Sequence, residues 1–386
     1  MSGVLSTLLR VAMLRHAKMG RTAITGPSGD ISYGDLRIMI DEIAHGAVKV
    51  CLNRGEPVGI MLPRSVSAIA TLFGLMEAGA CPCFIEPGLS VSELLMRMQV
   101  VGMRTLVRDG SAFPEEKIFL AAGIRIIWLS KLSENGILRQ LELAPHDRAL
   151  MLFTSGSTGQ AKGVALSQDN LASNAEGVIK HTGITSSDRL LHLMPFYHTN
   201  GINNQLIAPF LAGASVILIE RFIASDFGSL VRQYAPTYAT GVPTIFSRAL
   251  NYIKSREGME SLRFLRCGSA PITEALHRRI EEVFGIPLIV SYGLSEATCT
   301  STMNPPHARR IGTVGTVLSG QTVKIYVPGT LTEVTTGNEG EVCISGPSLM
   351  LGYLGVDQNQ PIKKGGFTLA ISDTSIMKVI SLLLDV

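Results

Sequence analysis

The run Leu152–Val164, LFTSGSTGQAKGV, gathers a dense set of groups suited to holding an anion. Thr154, Ser155, Ser157 and Thr158 supply hydroxyl donors, and Lys162 places a full positive charge at the rim. Gly156 and Gly159 permit positive φ, so backbone N–H groups can curl around a ligand. Polyphosphate suits this chemistry. The pattern is not a Walker A loop, because Gly163 and not a hydroxyl residue follows Lys162. A plain Ser/Gly surface turn is the competing reading. The apolar strand that runs into the loop and the lysine that leaves it argue against that.

Three further segments hold residue types that recur in ligand pockets. Met194–Gly201 (MPFYHTNG) carries His198, Asn200 and Gly201. Gly268, Ser269, Ala270 and Pro271 form a turn of small residues, and Ser291–Glu296 (SYGLSE) sets Tyr292, Gly293, Leu294 and Ser295 beside Glu296. Taken singly, His198 reads as a hydrogen-bonded core histidine, Tyr292 as a core aromatic and Glu296 as a carboxylate stabilising a helix start. Their neighbours favour ligand duty.

These residues need a scaffold, and the chain is long enough to build one. Its 386 residues suggest two or three packed units. With 46% hydrophobic and 17% charged residues it can bury a sizeable core. A net charge of +3 spread along the chain excludes the basic stripe of a nucleic-acid binder. No apolar run reaches the roughly 18 residues of a membrane span, so no integral membrane segment is expected. The six cysteines lack zinc or CxxC spacing and read as buried free thiols in a reducing, cytoplasmic compartment. The basic N-terminal stretch reads as a surface helix and not as a targeting peptide.

Short apolar runs alternate with helical stretches. Strands are expected at Glu56–Leu62, Cys81–Ile85, Ile124–Leu129, Ala149–Phe153, Ala214–Ile219, Tyr238–Gly241, Phe264–Cys267 and Ile286–Val290, with helices at Ser65–Ala78 and Thr273–Phe284. This is the signature of an α/β protein with mainly parallel sheets. From Gly312 the runs Gly312–Gly315, Val323–Val327 and Gly340–Ile344 have no helix between them and read as a small antiparallel β unit.

TSGSTGQAKGV resembles the signature loop of the adenylate-forming superfamily, which includes acyl-CoA synthetases, luciferases and peptide-synthetase adenylation domains. The other segments resemble that family's motifs in its order. MPFYHTNG is similar to the segment whose histidine lies beside the acyl pocket, and Gly268–Pro271 to the turn bordering adenine. SYGLSE is similar to the tyrosine–glycine–x–threonine–glutamate motif, with Ser295 in place of threonine. Ile31–Leu36 (ISYGDL) and Gly340–Tyr353 match an early helix start and a late β-rich stretch. The resemblance runs from about residue 15 to Phe367.

It implies two stacked α/β subdomains, residues 1–190 and 191–305, and a β-rich, barrel-like subdomain, residues 306–367. It also implies activation of a carboxylic acid by ATP to acyl-AMP, then transfer to CoA. Lys162 and the 154–159 hydroxyls would hold the β- and γ-phosphates, and Glu296 would hold Mg²⁺. Tyr292, Gly293 and Ser295, with Gly268–Pro271, would hold the nucleotide. His198, Asn200, Gly201, Val242, Cys267 and Leu294 would meet the substrate. Amino-acid-activating relatives carry aspartate where Tyr197 stands here, so a non-amino acid, fatty or aryl, is implied.

Relatives continue past this point into a ribose-binding Ser/Thr-Gly-Asp, a hinge and a C-terminal lid bearing a catalytic lysine. Here the chain ends in TLAISDTSIMKVISLLLDV, and Asp373 stands one position late for the ribose role. Synonymous codons for Thr368–Val386 exist that, read from their third nucleotide, give SGDIGYFDNEGYLFITGR, the missing motifs in order. The tail, residues 368–386, is therefore expected to be out of frame and the lid absent. Without a lid lysine, adenylation would slow by about 10²–10³ and thioester formation would be lost. A non-catalytic nucleotide- or acyl-binding remnant, or the product of a frameshifted gene, is the competing reading.

Overall fold

A computed structural model describes residues 3–110, 113–133, 141–155, 161–328, 330, 332–335, 337–355, 362–363 and 367–369. The loop tip with Gly156, Ser157, Thr158 and Gly159, and the tail from residue 370, lie outside the described residues.

The architecture is α/β with mainly parallel sheets. The largest sheet has nine strands. Its centre is parallel: Leu288–Tyr292, Phe264–Cys267, Tyr238–Gly241, Arg189–His192, Ser215–Leu218 and Thr22–Gly26, in spatial order. A second sheet is parallel throughout, in the order Cys81–Phe84, Pro57–Met61, Thr105–Arg108, Arg125–Trp128. Helices cover these sheets, so central strands are buried at every position and must be apolar on both faces. The hairpin Thr22–Gly26 and Gly29–Ser32, which belongs to the first 190 residues, completes one edge of the nine-stranded sheet.

Local signals place the helices. Ser32 accepts from Asp35 N at 3.0 Å and starts the helix Tyr33–Lys49; the buried Tyr33 hydroxyl is satisfied by Ala214 O at 2.6 Å. Ser167 and Asn170 form a reciprocal capping box ahead of Gln168–Thr182, which Gly183 ends in the left-handed conformation. The first helix, Leu5–Ala17, buries Leu5, Leu9 and Met13 along one face. Buried Arg37 ties its own helix to the helix Val66–Glu77 through Glu77, with bonds of 2.5 and 2.8 Å.

Three expectations need correction. Gly312–Gly315 is not a strand: Gly312 and Gly315 have φ of +82° and +83°, outside the β region, and pairing begins at Thr316–Val317. Ala149–Phe153 does not join the parallel series. It lies in Arg148–Ser155, which turns back on Ala161–Ser167 as an antiparallel hairpin. Cys51 is exposed, whereas the other five cysteines are buried. The late β unit forms an antiparallel four-stranded sheet of Thr322–Tyr326, Glu341–Ser345, Phe367–Leu369 and Ile362–Lys363. No described helix is long and apolar enough to cross a membrane.

Candidate active site at the carboxyl ends of the parallel strands

Four neighbouring parallel strands bring the distant motifs to one edge. Arg189–His192, Tyr238–Gly241, Phe264–Cys267 and Leu288–Tyr292 run side by side in continuous register. Their carboxyl ends open into Met194–Gly201, Val242, Gly268–Pro271 and Gly293–Glu296. From Arg189–His192 the chain first crosses to Ser215–Leu218 on one side and then to Tyr238–Gly241 on the other. Such a reversal of strand order opens a crevice at the carboxyl ends. A cavity of about 270 Å³ lies there, lined by Ser269–Ile272, Tyr292, Gly293 and Gly312–Val314 among others.

The turns around the cavity hold unusual backbone. Ser269 has φ +63°, and buried Asn200 donates to its hydroxyl at 3.2 Å. Thr298 has φ +69° and ψ −57°, the centre of a γ-turn closed by Cys299 N donating to Ala297 O at 2.9 Å. That conformation is rare and strained, and strain of this kind clusters at functional sites. Gly293 has no alternative, since a Cβ there would lie 1.8 Å from Cys299 O.

The hairpin of Arg148–Ser155 and Ala161–Ser167 and the residue Glu296 meet through one aromatic side chain. Lys162 pairs with Thr154 across the hairpin, with Ser155 opposite Ala161 at its last described rung. Strand Gly352–Leu354 adds to the other side of Ala161–Ser167, setting Tyr353 opposite Val164. The Lys162 ammonium lies 5.1 Å from the Tyr353 ring centroid, and the Tyr353 hydroxyl donates to Glu296 Oε1 at 2.7 Å. Backbone bonds brace this: Met350 N donates to Glu296 O and Leu351 N to Ala165 O, both 2.9 Å. Burial, then the Glu296 carboxylate, raises the Tyr353 pKa above its ordinary value, so the phenol stays a donor.

At the ends of Arg189–His192 and Ser215–Leu218, Arg64 collects carbonyls. It donates to His192 O at 2.6 Å, Met194 O at 2.8 Å and Ile219 O at 2.7 Å, and Nη2 meets His192 Nδ1 at 2.6 Å. A guanidinium only donates, so Nδ1 accepts and the His192 Nε2–H donates to Gly201 O at 2.8 Å. Burial, then Arg64, holds the His192 pKa well below its ordinary value, and burial pushes Arg64 down to about 10. His198 is exposed beside Tyr197, with ring centroids 4.7 Å apart. Partial burial of its ring lowers its pKa while Glu86 opposes the shift. Asn200–Ile207 forms a π-helix, buried at every residue. Such segments recur at functional sites.

Of the remaining candidates, Tyr292 and Leu294 pack against the cluster of Val290, Val314 and Val323. Cys267 lies in the apolar cluster with Leu191, Phe246 and Leu265, and burial pushes its thiol up to about 12. Val242 precedes the helix Pro243–Leu250, and Ser295 opens the short turn that carries Glu296. The family profile described as AMP-binding enzyme matches residues 13–354.

The chain belongs to the AMP-binding enzyme family.

Among its relatives, a protein named probable 4-coumarate–CoA ligase 2 from Dictyostelium discoideum is 28% identical over 369 residues, covering 85% of this chain and 66% of the relative. An oxalate–CoA ligase from Arabidopsis thaliana is 29% identical over 391 residues, covering 95% and 74%. The crystal structure of ATP-bound MatB from Rhodopseudomonas palustris superposes with a TM-score of 0.87 at 25% identity, covering 95% of this chain and 75% of that one. The chain thus spans about two thirds to three quarters of the length of these proteins.

Within this AMP-binding chain, sequence reasoning missed Tyr353, Arg64 and His192. Tyr353 closes the Gly340–Tyr353 stretch but had no assigned role. Arg64 and His192 had no visible partner in sequence, because each finds the other across 128 residues. Arg266 was the one legible anomaly, a charge inside the strand FLRC.

Proposed function

We propose that this chain activates a carboxylic acid lacking an α-amino group by reaction with ATP, giving an acyl adenylate and pyrophosphate. The observation that carries the reading is the Lys162–Tyr353–Glu296 arrangement, which sets a cation and a carboxylate on one aromatic side chain, with Glu296 three residues after Gly293 of the cavity lining. A substrate carboxylate oxygen attacks the α-phosphorus, the bond from that phosphorus to its β-bridging oxygen breaks, and pyrophosphate leaves with that oxygen. No proton has to move. Charge builds on an already anionic phosphate, so positioning and electrostatic stabilisation are what the protein supplies.

Lys162 and the hydroxyls of the 154–159 loop hold the β- and γ-phosphates in this reading. Ser269–Pro271 and Tyr292 border the adenine, and Gly268, Gly293 and Ser295 let the backbone approach. The acid lies near His198, Asn200, Gly201, Val242 and Leu294, with Cys267 contributing its backbone. Glu296 suits Mg²⁺ arriving with ATP. Among the described residues no three His, Cys, Asp or Glu gather to hold a metal alone, and Mg²⁺ is commonly held by one carboxylate, water and substrate phosphates. When bound, the ion supplies charge neutralisation at those phosphates.

Tyr197, at the position where an acidic partner for an ammonium group would stand, argues for a non-amino acid. Acid-dependent exchange of labelled pyrophosphate into ATP tests the reading. Exchange that requires both the acid and Mg²⁺ supports it. Stabilisation by ATP without exchange would instead favour a binding protein that performs no chemistry.

A further inference from the structure

Arg266 lies within a central strand whose four residues are all buried, and it is itself only 3% exposed. Its recorded partners are neutral: Nη2 donates to Thr300 Oγ1 at 2.5 Å and to Ser291 Oγ at 3.4 Å. Because a guanidinium only donates, Asn204 turns its amide oxygen toward it and accepts at 3.0 and 3.2 Å. Nε has no partner, and among the described residues no Asp or Glu pairs with it. The equally buried Arg37 differs, being held by both Glu77 and Asp41. A buried cation without an anion is costly, and burial lowers the Arg266 pKa from its ordinary value.

The surroundings extend the same polarity. Thr240 pairs with Arg266 in register on the neighbouring strand, and its hydroxyl also has no partner. The π-helix buries Asn200, Asn203, Asn204 and Gln205, so this part of the core is amide-rich and not apolar. Ser291 joins this region to the crevice: it lines the 270 Å³ cavity and its hydroxyl contacts Arg266.

We infer that Arg266 is a specificity residue, the counter-charge for a second anionic group on the acid being activated, so that the preferred substrate is a short carboxylic acid bearing a second carboxylate or a sulfonate. This rests on the adenylation reading and narrows the acid away from fatty chains. The reacting carboxylate faces the nucleotide, while the second anion reaches the guanidinium, whose N–H donors match two oxygens at once. A long methylene chain in the same place would leave the cation unpaired.

The test compares oxalate, malonate, succinate and sulfoacetate with acetate, propionate and butyrate in pyrophosphate exchange by the full chain. For at least one of the dianions kcat/KM is expected to exceed that of the monocarboxylate of similar length by about 100-fold, the worth of a charge-assisted hydrogen bond. Arg266→Met should abolish that preference while leaving exchange with propionate unchanged or raised, and Arg266→Lys should keep part of it. An arginine that merely held the fold would lower all acids alike. Exchange that favours monocarboxylates in the wild-type chain overturns the inference and leaves adenylation standing. No exchange with any acid contradicts adenylation. Thermal stabilisation by malonate against propionate then decides Arg266 separately: a malonate shift lost in Arg266→Met upholds it, and equal shifts overturn it. Should Arg266→Met fail to fold, the wild-type preference and Arg266→Lys carry the comparison.

Discussion

The Tyr353 hydroxyl donates to Glu296 Oε1 at 2.7 Å, joining a strand that pairs with Ala161–Ser167 to the turn that carries the proposed metal ligand. The same ring receives Lys162. Tyr353 therefore fixes how the cation and the carboxylate stand relative to each other. Tyr353→Phe keeps the ring but removes the donor. It is expected to lower pyrophosphate exchange by about 3–10-fold, the worth of one neutral hydrogen bond up to a charge-assisted one. Tyr353→Ala should cost more, since the cation–π contact goes too. Exchange rates and ATP-dependent melting shifts check both.

Arg64 satisfies three carbonyls and one imidazole nitrogen at the strand ends. Arg64→Ala leaves them without these donors and is expected to destabilise the chain by about 2–4 kcal/mol. Loosening of the Met194–Gly201 segment should also raise KM for the acid more than KM for ATP. Urea unfolding and steady-state kinetics measure the two effects.

Stability should depend on pH through His192. Its folded-state pKa is held well below the ordinary value, whereas in the unfolded chain it titrates near about 6.5. Between those values the unfolded state binds more protons, so stability rises with pH and is lost as pH falls below about 6.5. His181 and His277, also lowered chiefly by burial, act in the same direction. The urea midpoint is expected to fall between about pH 7 and about pH 5, with a shallower slope in His192→Gln.

Gly293→Ala would force a Cβ against backbone at 1.8 Å from Cys299 O. The γ-turn at Thr298 leaves little room for that carbonyl to move, so a loss of at least about 2 kcal/mol is expected by thermal unfolding.

The segments that gather at the strand ends were legible because each is a local motif. The strands Tyr238–Gly241 and Phe264–Cys267 were read at their observed bounds, since each is a four-residue run in a series alternating with helices. What stayed hidden was pairing across sequence distance. Arg148–Ser155 looks like any buried strand, and only its register with Ala161–Ser167 shows that it belongs to an antiparallel hairpin. Gly312–Gly315 misled because short runs with no helix between them look like strands, whereas both of its glycines have positive φ. Tyr353 and Glu296 are 57 residues apart, and no local pattern announces their bond.

Pyrophosphate exchange in the wild-type chain, in Lys162→Ala and in Glu296→Gln tests most directly whether Lys162 and Glu296 serve one Mg·ATP site. Acid-dependent exchange in the wild type, falling by about 100-fold or more in each variant while the fold persists by circular dichroism, is the expected result. Exchange that survives both substitutions undiminished would contradict it.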